Sequence, residues 1–105
     1  MKKLLMLTTA VAALGLAAGA QAQDAAKLAQ DKACLACHQL DKKLVGPSYK
    51  EISKKYAGNK TAEATLIKKV RGGGAGVWGQ VPMPPNAGVS EKEAQILVKW
   101  ILSQK

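Results

Sequence analysis

Cys34-Leu35-Ala36-Cys37-His38 constrains this chain more than any other stretch of its 105 residues. Two thiols separated by two residues, with an imidazole immediately after, is the spacing at which a polypeptide takes a c-type haem. Each thiol adds to one vinyl group on the porphyrin edge, making two thioether bonds. Those bonds hold the next residue under the iron, where the His38 imidazole coordinates it. A chain built this way has to supply three more things: a second iron ligand, an export route, and a fold that wraps an apolar disc.

The N-terminus reads as the export route. Lys2 and Lys3 open the chain, residues 4–19 are mostly Leu, Ala and Val, and Ala20-Gln21-Ala22 is a small-x-small site followed by Gln23 and Asp24. This is the pattern of a secretory signal peptide over residues 1–22, removed after Ala22, with a periplasmic destination. An uncleaved anchor is the alternative. The apolar run is short for a membrane span and ends in small residues. Nothing later is apolar enough to cross a membrane, so no stable insertion is expected.

What remains is one domain, residues 23–105, with no Phe, two Trp and two Tyr. A chain of that size buries a thin core by itself, and a covalently attached porphyrin would supply the missing apolar volume. Loss of Lys2 and Lys3 leaves fourteen basic against seven acidic residues, a net +7 that two haem propionates would lower. A basic surface suits acidic protein partners, because complementary fields speed encounter. Nucleic acid is not expected, since the lysines are scattered and an exported protein rarely meets it. A Cys34–Cys37 disulfide would close a very short loop and add little stability, so the pair reads as chemical rather than structural.

The chain then reads as about four short helices and a stiff loop, with no segment that alternates like a strand. Asp24 is placed to cap a first helix with Ala25, Leu28 and Ala29 on one face, leading into Cys34. Gly46-Pro47 breaks the backbone. Ser48 with Glu51 forms a capping box for a helix presenting Tyr49, Ile52 and Tyr56, ended at Gly58. A third helix is expected from about Thr61 to Arg71, with Ala62, Leu66, Ile67 and Val70 inward and Lys68, Lys69 and Arg71 in its last turn, where the helix dipole favours cations. The glycines of residues 72–76 imply a flexible connection or a close backbone approach. Pro82, Pro84 and Pro85 make residues 77–89 an extended loop. Ser90 with Glu93 is a second capping box, opening a last helix with Ala94, Leu97, Val98 and Ile101 on one face and Trp100 beside them, running almost to Lys105.

The candidate iron ligands are few. Residues 23–105 contain one histidine, His38, and one methionine, Met83. If haem is attached and both axial positions are filled, His38 and Met83 are nearly forced, and a thioether ligand favours Fe(II) and raises the reduction potential. Met83 stands between Pro82 and Pro84, on backbone with little freedom; the plainer reading is a loop methionine packing on the core. The second ring nitrogen of His38 needs a partner, and a carbonyl near Pro47 is the candidate. Trp78 either donates its indole N–H to a propionate or packs in the core. Asn86 either hydrogen-bonds the Met83 sulfur or makes a turn.

Together these residues resemble the small monohaem class I c-type cytochromes of the bacterial cytochrome c-551/c-552 kind. The resemblance covers nearly all of residues 24–105. It rests on Cys34-Leu35-Ala36-Cys37-His38, Val45-Gly46-Pro47-Ser48-Tyr49, Gly76-Val77-Trp78-Gly79, residues 81–86 (Val-Pro-Met-Pro-Pro-Asn) and the last-helix stretch ending Lys99-Trp100-Ile101-Leu102-Ser103. It implies an all-α fold around one haem c, thioethers at Cys34 and Cys37, and axial bonds from His38 and Met83. It also implies a Pro47 carbonyl on the imidazole, Asn86 near the Met83 sulfur, and Trp78 and Lys69 toward a propionate. It implies a monomeric electron carrier, not an enzyme, working between respiratory redox proteins such as a nitrite reductase or a terminal oxidase. Two departures bear on packing: Ala29 stands where some relatives have Phe, and Gly88 looks like an extra residue after the methionine loop.

Three other readings compete. A thiol–disulfide oxidoreductase usually brings a βαβ context, which is not apparent here. A zinc site is crowded at Cys34, Cys37 and His38 and lacks a second ligand pair. A haem sensor or weak peroxidase needs a labile Met83, against which the flanking prolines argue.

Overall fold

The computed structural model describes residues 24–105; the signal-peptide reading of residues 1–22 lies outside them. Helix α1 covers residues 24–31, followed by a 3-10 turn at Cys34–Ala36. Then come α2 (Tyr49–Lys55), α3 (Ala62–Gly72) and α4 (Glu91–Leu102). Among the described residues there is no strand, only two isolated bridges, His38 with Lys43 and Gly74 with Met83. No helix among them is long and apolar enough to cross a membrane.

The helix ends follow local chemistry, with some departures from expectation. Asp24 is itself helical rather than a cap. Ser90 caps α4 with the complete reciprocal box: its Oγ accepts from the Glu93 N–H at 3.1 Å, and Glu93 Oε1 accepts from the Ser90 N–H at 3.0 Å. At α2 only half of the expected box forms, with Ser48 Oγ accepting from the Glu51 N–H at 3.1 Å. α2 stops at Lys55, so Tyr56 is its C-cap, and Gly58 takes φ +77° in the turn beyond. α3 begins without a side-chain cap on Thr61; instead Asn59 Oδ1 accepts from both the N–H and the hydroxyl of Thr61, each at 2.9 Å. α4 ends at Leu102, short of Lys105, with the Ser103 hydroxyl turned back onto the Trp100 carbonyl.

α4 is the central element, packed on both α2 and α3. Its four expected inward residues, Ala94, Leu97, Val98 and Ile101, are all buried. One cluster joins Leu97, Val98 and Ala94 to Val70, Val89 and a fully buried Ala29. A second joins Ile101 to Tyr49 and Ile52. Trp100 and Leu66 touch both. Gly88 has a structural role: its carbonyl accepts from Lys32 Nζ at 2.9 Å, tying the end of α1 to the segment before α4.

Candidate functional site

The helices leave an apolar cavity of about 460 Å³ between α2, the end of α3, α4 and the two long loops, within the usual ~300–1,000 Å³ of a cofactor site. Cys34, Cys37, His38, Pro47, Lys69, Trp78, Met83 and Asn86, the residues singled out from sequence, all line it. Leu97, Val98 and Ile101 contribute the α4 wall. Residues from both ends of the chain therefore converge on one space.

His38 is one of these lining residues. Its Nδ1 lies 2.7 Å from the Pro47 carbonyl oxygen. A carbonyl can only accept, so the proton is on Nδ1, and Nε2 keeps the lone pair a metal needs. The ring lies against main chain as well: a Cβ on Gly46 would stand 2.6 Å from His38 Cε1. The Gly46-Pro47 pair is thus more than a helix breaker. It brings backbone against the imidazole, and a side chain at 46 would displace the ring.

The methionine loop lines the same cavity. Gly74 and Met83 exchange both main-chain hydrogen bonds, at 3.0 and 2.8 Å. The close approach expected of the glycine run is located at Gly73, with φ +70°, where a Cβ would collide with the Met83 carbonyl oxygen. Asn86 Nδ2 donates to the Val70 carbonyl at 2.8 Å, with Pro84 O at 3.5 Å, and the Asn86 N–H donates to Arg71 O at 3.2 Å. The amide therefore acts as a main-chain clip between the loop and α3. Trp78 sits at the cavity rim, 40% exposed, with Lys55 Nζ 5.3 Å above its ring. Lys69 Nζ lies beside Gly74.

Two residues that are not among the site candidates stand against this site. Tyr49, placed by periodicity on the inner face of α2, stacks on His38 with ring centroids 5.6 Å apart and planes 22° from parallel. Its hydroxyl is buried without a partner, and burial pushes its pKa well above the ordinary tyrosine value. Lys55 sits in the last turn of α2, where its charge also complements the helix dipole.

The cysteines are free and half-buried. Burial pushes the Cys34 thiol above its ordinary value, the opposite of the lowered pKa an attacking thiol of an oxidoreductase needs. Zinc fares no better: among the described residues no group of three or more His, Cys, Asp or Glu is placed to hold a metal ion. A haem does fit. The cavity is apolar and of cofactor size, and both thiols, the His38 imidazole and Met83 all line it.

Comparison with known proteins agrees. Residues 22–105 match the family model described as Cytochrome c. Cytochrome c-551 of Pseudomonas aeruginosa is 50% identical over 105 residues, covering all of both chains. Cytochrome c-552 of Hydrogenobacter thermophilus is likewise 50% identical over the whole of both. The crystal structure of wild-type Nitrosomonas europaea cytochrome c552 superposes with a TM-score of 0.74 at 50% identity, over 76% of this chain and 99% of that one. With the fold, the thiol pair and full-length relatives in agreement, the chain belongs to the class I monohaem cytochromes c of the c-551/c-552 family and is a small electron-transfer protein with one covalently attached haem c.

Proposed function

We propose that the protein is a periplasmic one-electron carrier whose haem is held by Cys34 and Cys37 and ligated by His38 and Met83. The observation that carries this reading is the convergence of one histidine and one methionine, the only ones in residues 23–105, on the same apolar cavity as both cysteines. When bound, the haem supplies reversible one-electron chemistry at its iron.

The chain's residues do the rest. The Pro47 carbonyl keeps the His38 proton on Nδ1 and raises the basicity of Nε2. The Gly74 pairing and the flanking prolines hold the Met83 backbone in one place, so its thioether is available in both oxidation states. Two protein ligands leave no open position for oxygen or peroxide, which favours a carrier over a sensor or peroxidase. Pro47, Lys69, Trp78 and Asn86 complete the haem surroundings in this reading, with Trp78 and Lys69 serving the propionates.

The mature protein is residues 23–105, a monomer released by cleavage after Ala22, that meets acidic redox proteins such as a nitrite reductase or a terminal oxidase. Support comes from the net +7 of those residues and from apolar side chains exposed at the cavity mouth: Val45 (53%), Val77 (44%), Trp78 (40%) and Val81 (66%). An exposed apolar patch on a basic protein suits brief, steered encounters.

The test is the absorption spectrum of the exported protein, oxidised and reduced. A sharp low-spin c-type pattern on reduction and a weak long-wavelength sulfur-to-iron band on oxidation are expected. Haem without the sulfur band, together with carbon monoxide uptake by the reduced protein at neutral pH, is the sensor result and overturns the carrier reading.

A further inference from the structure

We propose that Tyr49 is a positioning residue for His38: its ring is the wall that sets the rotation of the imidazole plane. The proposal rests on the reading of His38 as an iron ligand and asks what orients that ligand.

The Pro47 carbonyl cannot do so alone. One hydrogen bond, here 2.7 Å from Nδ1, fixes a point on the ring and the tautomer. Acceptor geometry at a carbonyl is broad, so the ring can still turn about the Nδ1···O line. Stopping that turn requires contact with the faces and edges of the ring. Two such contacts exist. The Gly46 main chain is close enough that a Cβ would stand 2.6 Å from Cε1 and 2.9 Å from Nδ1. The Tyr49 ring is stacked at 5.6 Å with planes 22° apart.

Gly46, Pro47 and Tyr49 thus build one slot from four consecutive positions. The slot is itself anchored. Tyr49 is 1% exposed and the largest fully buried side chain, and its ring meets Trp100 edge-on at 5.2 Å and 65°. Its N–H donates to Gln39 O at 2.9 Å, and its neighbour Ser48 caps α2. The hydroxyl makes no hydrogen bond to any other described residue. The ring does the positioning by packing, so Tyr49→Phe keeps the function and Tyr49→Met, apolar but without a ring, loses it. Orientation of an axial imidazole decides how its π orbitals meet the iron d orbitals, so it is read directly in the paramagnetic spectrum.

The experiment uses the holoprotein. In the oxidised form, proton NMR of the haem methyl groups reports the axial-ligand orientation. In the reduced, diamagnetic form, solvent exchange of the His38 Nδ1–H reports how well the ring is held. Tyr49→Met is expected to rearrange the methyl shift pattern and speed that exchange by about two- to tenfold, the range one aromatic contact supports. Tyr49→Phe is expected to leave both at wild-type values. The proposal is overturned if Tyr49→Met moves neither, or if Tyr49→Phe moves them as far. If Tyr49→Met does not fold, the reduced wild type decides: cross-peaks between the Tyr49 and His38 ring protons are expected, and their absence overturns the proposal. A wild type without a low-spin six-coordinate spectrum instead removes the ligand reading, which separates the two failures.

Discussion

Gly74 and Met83 are a main-chain pair, each donating its N–H to the other's carbonyl, at 3.0 and 2.8 Å. The methionine is therefore placed by its own backbone, against a glycine two residues past the end of α3. The two Asn86 bonds to the carbonyls of Val70 and Arg71 clip the same loop to α3 three residues later. Between these ties lie Pro84 and Pro85, so little freedom remains in the segment.

Gly73→Ala tests that placement, with Gly58→Ala as a second positive-φ glycine for comparison. Gly73 and Gly58 have nearly the same φ, +70° and +77°, but a Cβ on Gly58 meets nothing within 4 Å, while one on Gly73 collides with the Met83 carbonyl and comes within 2.8 Å of Pro85 N. Gly58→Ala costs about 1–2 kcal/mol for its positive φ, and Gly73→Ala costs about 1–3 kcal/mol, because φ +70° with ψ −164° is a region essentially confined to glycine. Gly73→Ala is expected to cost a further ~1–3 kcal/mol for forced overlap and to weaken the sulfur-to-iron band. Denaturant melts and the oxidised spectrum check both. Equal costs with the band intact would mean that the loop yields freely.

Met83→Ala removes the thioether while leaving the main-chain pairing, because the exchanged bonds belong to the backbone. Loss of the sulfur band, carbon monoxide binding in the reduced form, and a fall in potential are expected. The fall should be on the order of 0.1–0.2 V, a fraction of the ~0.8 V over which axial ligands and surroundings set haem potentials. Potentiometry decides; an unchanged potential rules Met83 out as the ligand.

The contrast between His38 and Tyr49 shows what a sequence can disclose. His38 is legible because covalent chemistry demands a fixed spacing from Cys34 and Cys37. The α4 face is legible because Ala94, Leu97, Val98 and Ile101 repeat at helical intervals, and all four are buried. Tyr49 follows the same periodic rule, and although it closes the Val45-Gly46-Pro47-Ser48-Tyr49 stretch, nothing local assigns it a role at the site. Its stacking on His38 depends on the loop of residues 39–48 folding back, which no local pattern encodes. Asn86 is similar: one amide serves a turn, a sulfur or a distant carbonyl equally well until the α3 end arrives beside it. The half-formed box at Ser48, against the complete one at Ser90, shows that a motif offers a hydrogen bond that tertiary packing accepts or declines.

Surface and core apolar residues at the site should separate cleanly. Val81 is 66% exposed at the cavity mouth, whereas Leu97 is 1% exposed behind it. Val81→Ser is expected to change stability by no more than about 0.5 kcal/mol and to slow electron exchange with an acidic redox partner. Leu97→Ala is expected to cost ~2–5 kcal/mol through the void it leaves. Stopped-flow oxidation at fixed ionic strength, beside denaturant melts, gives both numbers. An unchanged rate in Val81→Ser would place the docking surface elsewhere.

Glu93 gives a pH dependence with a definite sign. The Ser90 N–H donating to its carboxylate at 3.0 Å, helped by Lys32 at 3.7 Å, holds its pKa below the ordinary 4.5. A carboxyl with a depressed folded-state pKa contributes stability that is fully present above its unfolded value and is lost as pH falls through the folded value. Glu93→Gln keeps an acceptor for the Ser90 N–H but removes the charge from the first turn of α4 and from Lys32. Wild type is therefore expected to melt above Glu93→Gln at pH 6–7, with the gap closing as the pH drops below 4.5. Comparing the two melting midpoints at each pH cancels the other carboxylates, which titrate alike in both. A gap that stays constant down to pH 3 would mean that Glu93 acts through its shape in the capping box and not through its charge.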